Sequence, residues 1–118
     1  MLGEPSAERV YLACGSTDMR KSIDGLAALV ATRFKLDPFE GYWFVFCNKG
    51  RDKLKILYWD HNGFWLYYRR LEKGRFQWPA LSGADPQLVT RRQLGWLLGG
   101  LSLTQKQAHR AVTSRVVA

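Results

Sequence analysis

Cysteine, histidine and carboxylate are all scarce in this sequence, and each scarcity removes a class of function. Two cysteines, Cys14 and Cys47, cannot build a disulfide framework. No Cys/His spacing matches a zinc site, so neither a metal nor another cofactor is expected. Of the two histidines, His61 falls in a turn and His109 in the C-terminal tail, neither beside an evident partner. The ten acids are Glu4, Glu8, Asp18, Asp24, Asp37, Glu40, Asp52, Asp60, Glu72 and Asp85. No trio of them stands out as the converging carboxylates that two-metal strand chemistry on DNA needs. The glycine spacings give no Walker or Rossmann fingerprint. The longest uncharged apolar stretch, Gly41 to Asn48, is far too short to span a membrane. The opening Met-Leu-Gly-Glu-Pro lacks the charged and apolar regions of a secretory leader. The expectation is a cytoplasmic protein with reduced thiols and no membrane partner. It is also expected to be no enzyme, with no catalytic residue to name.

What is present is apolar and basic. The 118 residues fit a single domain, 1–118, and a 47% hydrophobic content supplies one core. Five Trp, five Tyr and six Phe suit a pleated sheet. Arg9 to Cys14 reads as a short strand, after which Ser16, Thr17 and Asp18 offer helix-capping oxygens. Met19 to Lys35 has helical spacing, with Ile23, Leu26, Ala27, Val30 and Phe34 on one stripe, and Asp37-Pro38 ends it. Tyr42 to Asn48, Lys53 to Asp60 and Phe64 to Leu71 read as strands, joined by turns at Asn48-Lys49-Gly50-Arg51 and Asp60-His61-Asn62-Gly63. Arg75 to Trp78 reads as a further short strand and residues 80–89 as a loop. Thr90-Arg91-Arg92-Gln93 has the form of a capping box. It opens a helix whose apolar face is Leu94, Leu97, Leu98 and Leu101, with Gly99-Gly100 as its stop. The fold expected is α+β: an antiparallel meander of about four to five strands packed with two main helices. Residues 102–118 form a basic tail expected to be frayed.

The charge is unevenly placed. Overall it is +8, with a pI near 9.9. Residues 49–75 carry net +5 and residues 86–118 carry another +5, leaving −2 for the rest. In an antiparallel hairpin with its turn near His61-Asn62, segments 49–55 and 69–75 lie at the same end. Lys49, Arg51, Lys53, Lys55, Arg69, Arg70, Lys73 and Arg75 then cluster, offset only by Asp52 and Glu72. With the turn centred on Asn62-Gly63, Leu54, Ile56, Tyr58, Tyr67, Arg69 and Leu71 share one face. Lys53, Lys55, Leu57, Trp59, Leu66, Tyr68 and Arg70 share the other, where cations sit beside Trp59 and Tyr68. Such a surface suits a phosphate backbone with bases stacked on rings. The plainer reading is a solvated basic rim over aromatics that merely pack.

Several ordered blocks also resemble a known family. They are Val10 to Ala27, with Thr-Asp-Met-Arg-Lys and Asp-Gly-Leu at its heart; Asp37-Pro38-Phe39 with Phe44-Val45-Phe46; Lys55 to Asp60 with Gly63; Arg70 to Phe76 with Trp78-Pro79; and Gln93-Leu94 with Leu97 to Gly100. Over roughly residues 9–101 the chain resembles the TnpB accessory protein of insertion-sequence-66-type transposable elements, which is distinct from the RNA-guided nuclease of the same name. The resemblance implies a factor needed beside a separate transposase that holds the catalytic carboxylates. It brings no catalytic residues, and its signature residues Asp18, Arg20, Lys21, Asp60, Arg70 and Arg75 become candidates for an interaction surface. Two functions follow as expectations. The first is an accessory factor in DNA recombination that binds DNA at the element ends through the basic sheet edge. The second is a protein-interaction adaptor that docks the transposase of the same element or self-associates without touching DNA. A homo-oligomer is compatible with both.

Overall fold

The computed structural model describes residues 9–81 and 83–104. The tail from residue 105, with His109, lies outside the described residues. The elements are β1 (Val10–Leu12), α1 (Ile23–Thr32), β2 (Trp43–Cys47), β3 (Lys53–Asp60), β4 (Gly63–Arg70), β5 (Gln87–Val89) and α2 (Arg91–Leu98). The strands form one sheet in the order β4-β3-β2-β1-β5. The fold is α+β, and β2, β3 and β4 make the antiparallel meander. β1 lies parallel to β2, which the crossover through α1 permits. β5 closes the far side antiparallel to β1.

Alternation along the strands divides the core into two layers. On one face Phe44, Phe46 and Leu57 pack with Leu26, Val30 and Phe34 of the α1 segment. On the other, Val10, Leu12, Val45, Leu54 and Ile56 pack with Phe76, Trp78, Leu94 and Leu97. Each fully buried Leu or Phe contributes about 1.5–3 kcal/mol. Central β2 is covered on both faces, which explains its unbroken apolar run.

Three local expectations need correction. Arg75 to Trp78 is not a strand. Phe76 N–H donates to the Arg51 carbonyl (2.7 Å), and the Trp78 indole donates to the Ala13 carbonyl (2.9 Å). The segment therefore crosses the end of the sheet, burying alternate aromatics without joining a ladder. The fifth strand comes instead from residues 87–89, read from the sequence as loop, because β1 offers them an open edge. Helix α1 is also shorter than the stripe suggests. Residues 16–18 do not cap it; Ser22 occupies the N-cap position without a side-chain bond. Asp18 instead accepts the Arg20 N–H (2.9 Å), and this local bond competes with helix. At the other end Lys35 enters the left-handed region (φ 58°), before Pro38 is reached.

Helix α2 forms as its capping signal requires. The Thr90 hydroxyl accepts Gln93 N–H (3.0 Å), and the Gln93 side chain accepts Thr90 N–H (2.9 Å). At its end Gly100 takes φ 87°, while Leu101 N–H returns to Trp96 and Gly100 N–H to Leu97. That is a Schellman stop, and it leaves Leu101 exposed rather than on the buried face. Thr90→Ala should cost about 1 kcal/mol in a urea titration, and Thr90→Ser much less. Equal losses for the two would refute a capping role.

Candidate nucleic-acid interface

The hairpin register builds the site. β3 and β4 pair through a two-residue turn at His61-Asn62, with His61 in the left-handed region (φ 63°). Lys53 lies opposite Arg70 and Lys55 opposite Tyr68. Lys53, Lys55, Tyr68 and Arg70 therefore share the α1 face, and Arg69 points to the other face. The turn before β3 is tied to the chain after β4. Leu71 N–H donates to the Asp52 carbonyl (2.8 Å), and Phe76 N–H bonds the Arg51 carbonyl. These bonds bring Lys49, Arg51, Lys73 and Arg75 to the same end of the sheet.

A groove of about 500 Å³ opens there, lined by Met19, Arg20, Lys53, Lys55, Leu66 and Tyr68. Arg20 reaches it from the loop before α1. No local signal could have placed Arg20 beside Lys53, because more than thirty positions separate them in the chain. Lys55 holds that loop in place: its ammonium donates to the carbonyls of Met19 (2.8 Å) and Lys21 (2.9 Å) and lies 5.9 Å from the centre of the Tyr68 ring. Lys55 is thus turned toward its own chain. Tyr68 is more than half exposed.

Three cations carry an acid partner. Arg20 grips Asp18 (2.8 Å), Arg70 meets Glu72 (3.0 Å) and Lys53 lies 3.8 Å from Asp52. The Arg20 side chain and amide hold the Asp18 carboxyl well below the usual range, and the Asn48 side chain lowers Asp52. All three pairs are solvent-exposed, and such pairs are worth about 0–1 kcal/mol, so a phosphate can displace the acid at small cost. Counting the loop residues, this end gathers Arg20, Lys21, Lys49, Arg51, Lys53, Lys55, Arg70, Lys73 and Arg75, whose ion pairs among the described residues are with Asp18, Asp52 and Glu72.

Other sequence candidates lie elsewhere. Trp59 is on the α1 face but near the hairpin turn, about 20 Å along the strand from Lys53. It packs edge-on against Phe39 (4.9 Å) and Phe64 (5.0 Å). Asp60 accepts the Trp65 indole N–H (3.3 Å). The opposite face carries an apolar pocket of about 320 Å³ between Trp43, Leu54, Ile56, Tyr67 and Leu98. The sequence pattern left Trp65 unremarked and gave Tyr67 no role; both are exposed because β4 is the outermost strand.

The thiols are poor nucleophiles. Burial pushes Cys14 up and Cys47 to about 12, so both are held as neutral S–H at neutral pH. Among the described residues, no three His, Cys, Asp or Glu side chains gather to hold a metal ion. No helix among them is long and apolar enough to cross a membrane.

A family model described as IS66 Orf2 like protein matches residues 8–108. The chain belongs to this family. Membership makes it a transposition-associated accessory protein of the insertion-sequence-66 type. Two uncharacterised proteins of Sinorhizobium fredii are similar to it. One, y4hO, is 36% identical over 107 residues, covering 91% of this chain and 92% of its own. The other, y4jC, is 32% identical over 105 residues, covering 89% of each. No solved structure matches the chain.

Proposed function

We propose that this family member is a non-catalytic accessory factor that binds DNA through the basic end of its sheet, alongside a separate transposase. The observation carrying this reading is the direct cross-strand pairing of Lys53 with Arg70 beside Arg20 and Tyr68. Like charges placed opposite each other on a sheet are destabilising by a few tenths of a kcal/mol. A phosphate backbone laid across them turns that repulsion into attraction and releases condensed counterions. The Tyr68 ring, exposed beside the groove, offers a face on which a base can stack. Contacts of this kind orient the protein without reading sequence.

Binding to duplex DNA carrying the element ends, measured by fluorescence anisotropy over a salt series, tests the proposal. Affinity should fall steeply with salt. Lys53→Glu and Arg70→Glu should each weaken binding about tenfold and flatten the slope of log K against log salt by about one. Arg69→Glu, on the opposite face, should change affinity far less. Equal effects from all three would show a diffuse field rather than this surface. Absent DNA binding with retained capture of the transposase would favour the adaptor reading. That reading has its own support in the pocket between Trp43, Tyr67 and Leu98, which suits an apolar anchor from a partner protein.

A further inference from the structure

We infer that two copies of this chain pair through the free edge of β4, antiparallel, with Leu66 on the two-fold axis. The inference rests on the edge strand and its charges and is independent of the DNA reading.

Leu71 N–H bonds the Asp52 carbonyl, and bonds alternate along an antiparallel ladder. Gly63, Trp65, Tyr67 and Arg69 therefore turn their amide groups toward β3. Phe64, Leu66, Tyr68 and Arg70 turn theirs outward, where no described residue pairs with them. An edge of eight residues is a template for another strand unless it is defended. From Gly63 to Tyr68 this edge has no proline and no charge. It carries exposed Trp65, Tyr67 and Tyr68 instead.

Charge selects the partner and its direction. Arg69 forms no ion pair with a described residue, and Asp60 lies about 20 Å away at the other end of the same face. The two cannot meet within one chain. A parallel copy would stack Arg69 and Arg70 on their own images. An antiparallel copy separates them and delivers each arginine to the end of the other chain that carries Asp60. With Leu66 opposite Leu66 of the second copy, Arg69 faces Gly63, one strand from Asp60. The Cα separation of that pair is about 10 Å, within reach of the two side chains together. The same register sets Trp65 against Tyr67 of the second copy in a non-hydrogen-bonded pair, where side chains approach most closely. It extends the aromatic row that already stacks Trp65 on Tyr67 (6.1 Å) and Tyr67 on Trp43 (6.2 Å).

Sedimentation velocity on the full chain over a concentration series is the test. A dimer that dissociates on dilution is expected. Asp60→Lys and Arg69→Glu should each weaken it about tenfold, because each replaces two attractions by two repulsions. The double variant D60K/R69E should recover near wild-type association, a result that misfolding of either single variant cannot produce. Hydrogen exchange should show Phe64, Leu66 and Tyr68 amides protected in the dimer and released on dilution. A monomer at every concentration, singles that match wild type, or a double variant no better than the singles would each overturn the pairing. So would protection of those amides that is independent of dilution, since the edge would then be covered by the chain itself.

Discussion

Asp85→Ala is expected to lower the unfolding free energy by about 3 kcal/mol, with a fall in Tm of roughly 15 °C. The Asp85 carboxylate accepts the Cys14 amide (2.9 Å) and two donors from Arg33, one of them Nε at 2.9 Å. It thereby joins the chain just after β1, the C-cap of α1 and the segment entering β5. Its side chain is only 13% exposed, so removal orphans a backbone N–H and leaves a part-buried guanidinium with the Cys14 carbonyl (3.2 Å) as its remaining hydrogen-bond partner. Arg33 keeps a third of its side chain in water, which holds the cost at the low end for a broken buried pair. Asp85→Asn retains an acceptor for Cys14 and should fall between wild type and alanine. Thermal and urea unfolding of the three proteins checks this. A loss below about 1 kcal/mol for alanine would reduce the cluster to an ordinary surface pair.

Alkaline pH should expose the second large effect, at Cys47. This residue is completely buried, and burial places its thiol at about 12. The unfolded chain binds that proton less tightly, with an ordinary thiol near 8.5. A folded pKa raised above the unfolded one contributes stability that is complete below the unfolded value. It is lost as pH climbs through the folded value. Between about pH 9 and 12 the loss should reach the order of 4 kcal/mol. Tyrosine and lysine titrate in the same range, so the comparison is with Cys47→Ala, which shares them. Wild type should lose stability relative to Cys47→Ala steadily across that window. A constant difference would mean that the thiolate is accommodated without unfolding.

Both effects depend on contacts across the chain, and this marks where sequence reading stops. β3 was legible to the residue because its β-type run is bounded at both ends by turn residues. The division of Lys53, Lys55 and Arg70 from Arg69 was legible for the same reason: side chains alternate with period two. The capping box of α2 lies within four residues, so its chemistry could be read directly. Arg75 to Trp78 misled because an extended coil buries alternate aromatics as a strand does. The α1 stripe overran because apolar spacing does not register that Asp18 has a nearer partner in Arg20.

Local order thus settled the hairpin, the caps of α2 and the side of the sheet each cation takes, since these depend on neighbours a few positions away. Long-range packing alone chose the parallel seat of β1 and recruited residues 87–89 to the sheet. It also turned the Lys55 ammonium onto the Met19 and Lys21 carbonyls, brought Arg20 to Tyr68 and left β4 outermost. Each of these is a choice among partners dozens of residues apart, and periodicity along one segment carries no information about which distant segment will lie against it.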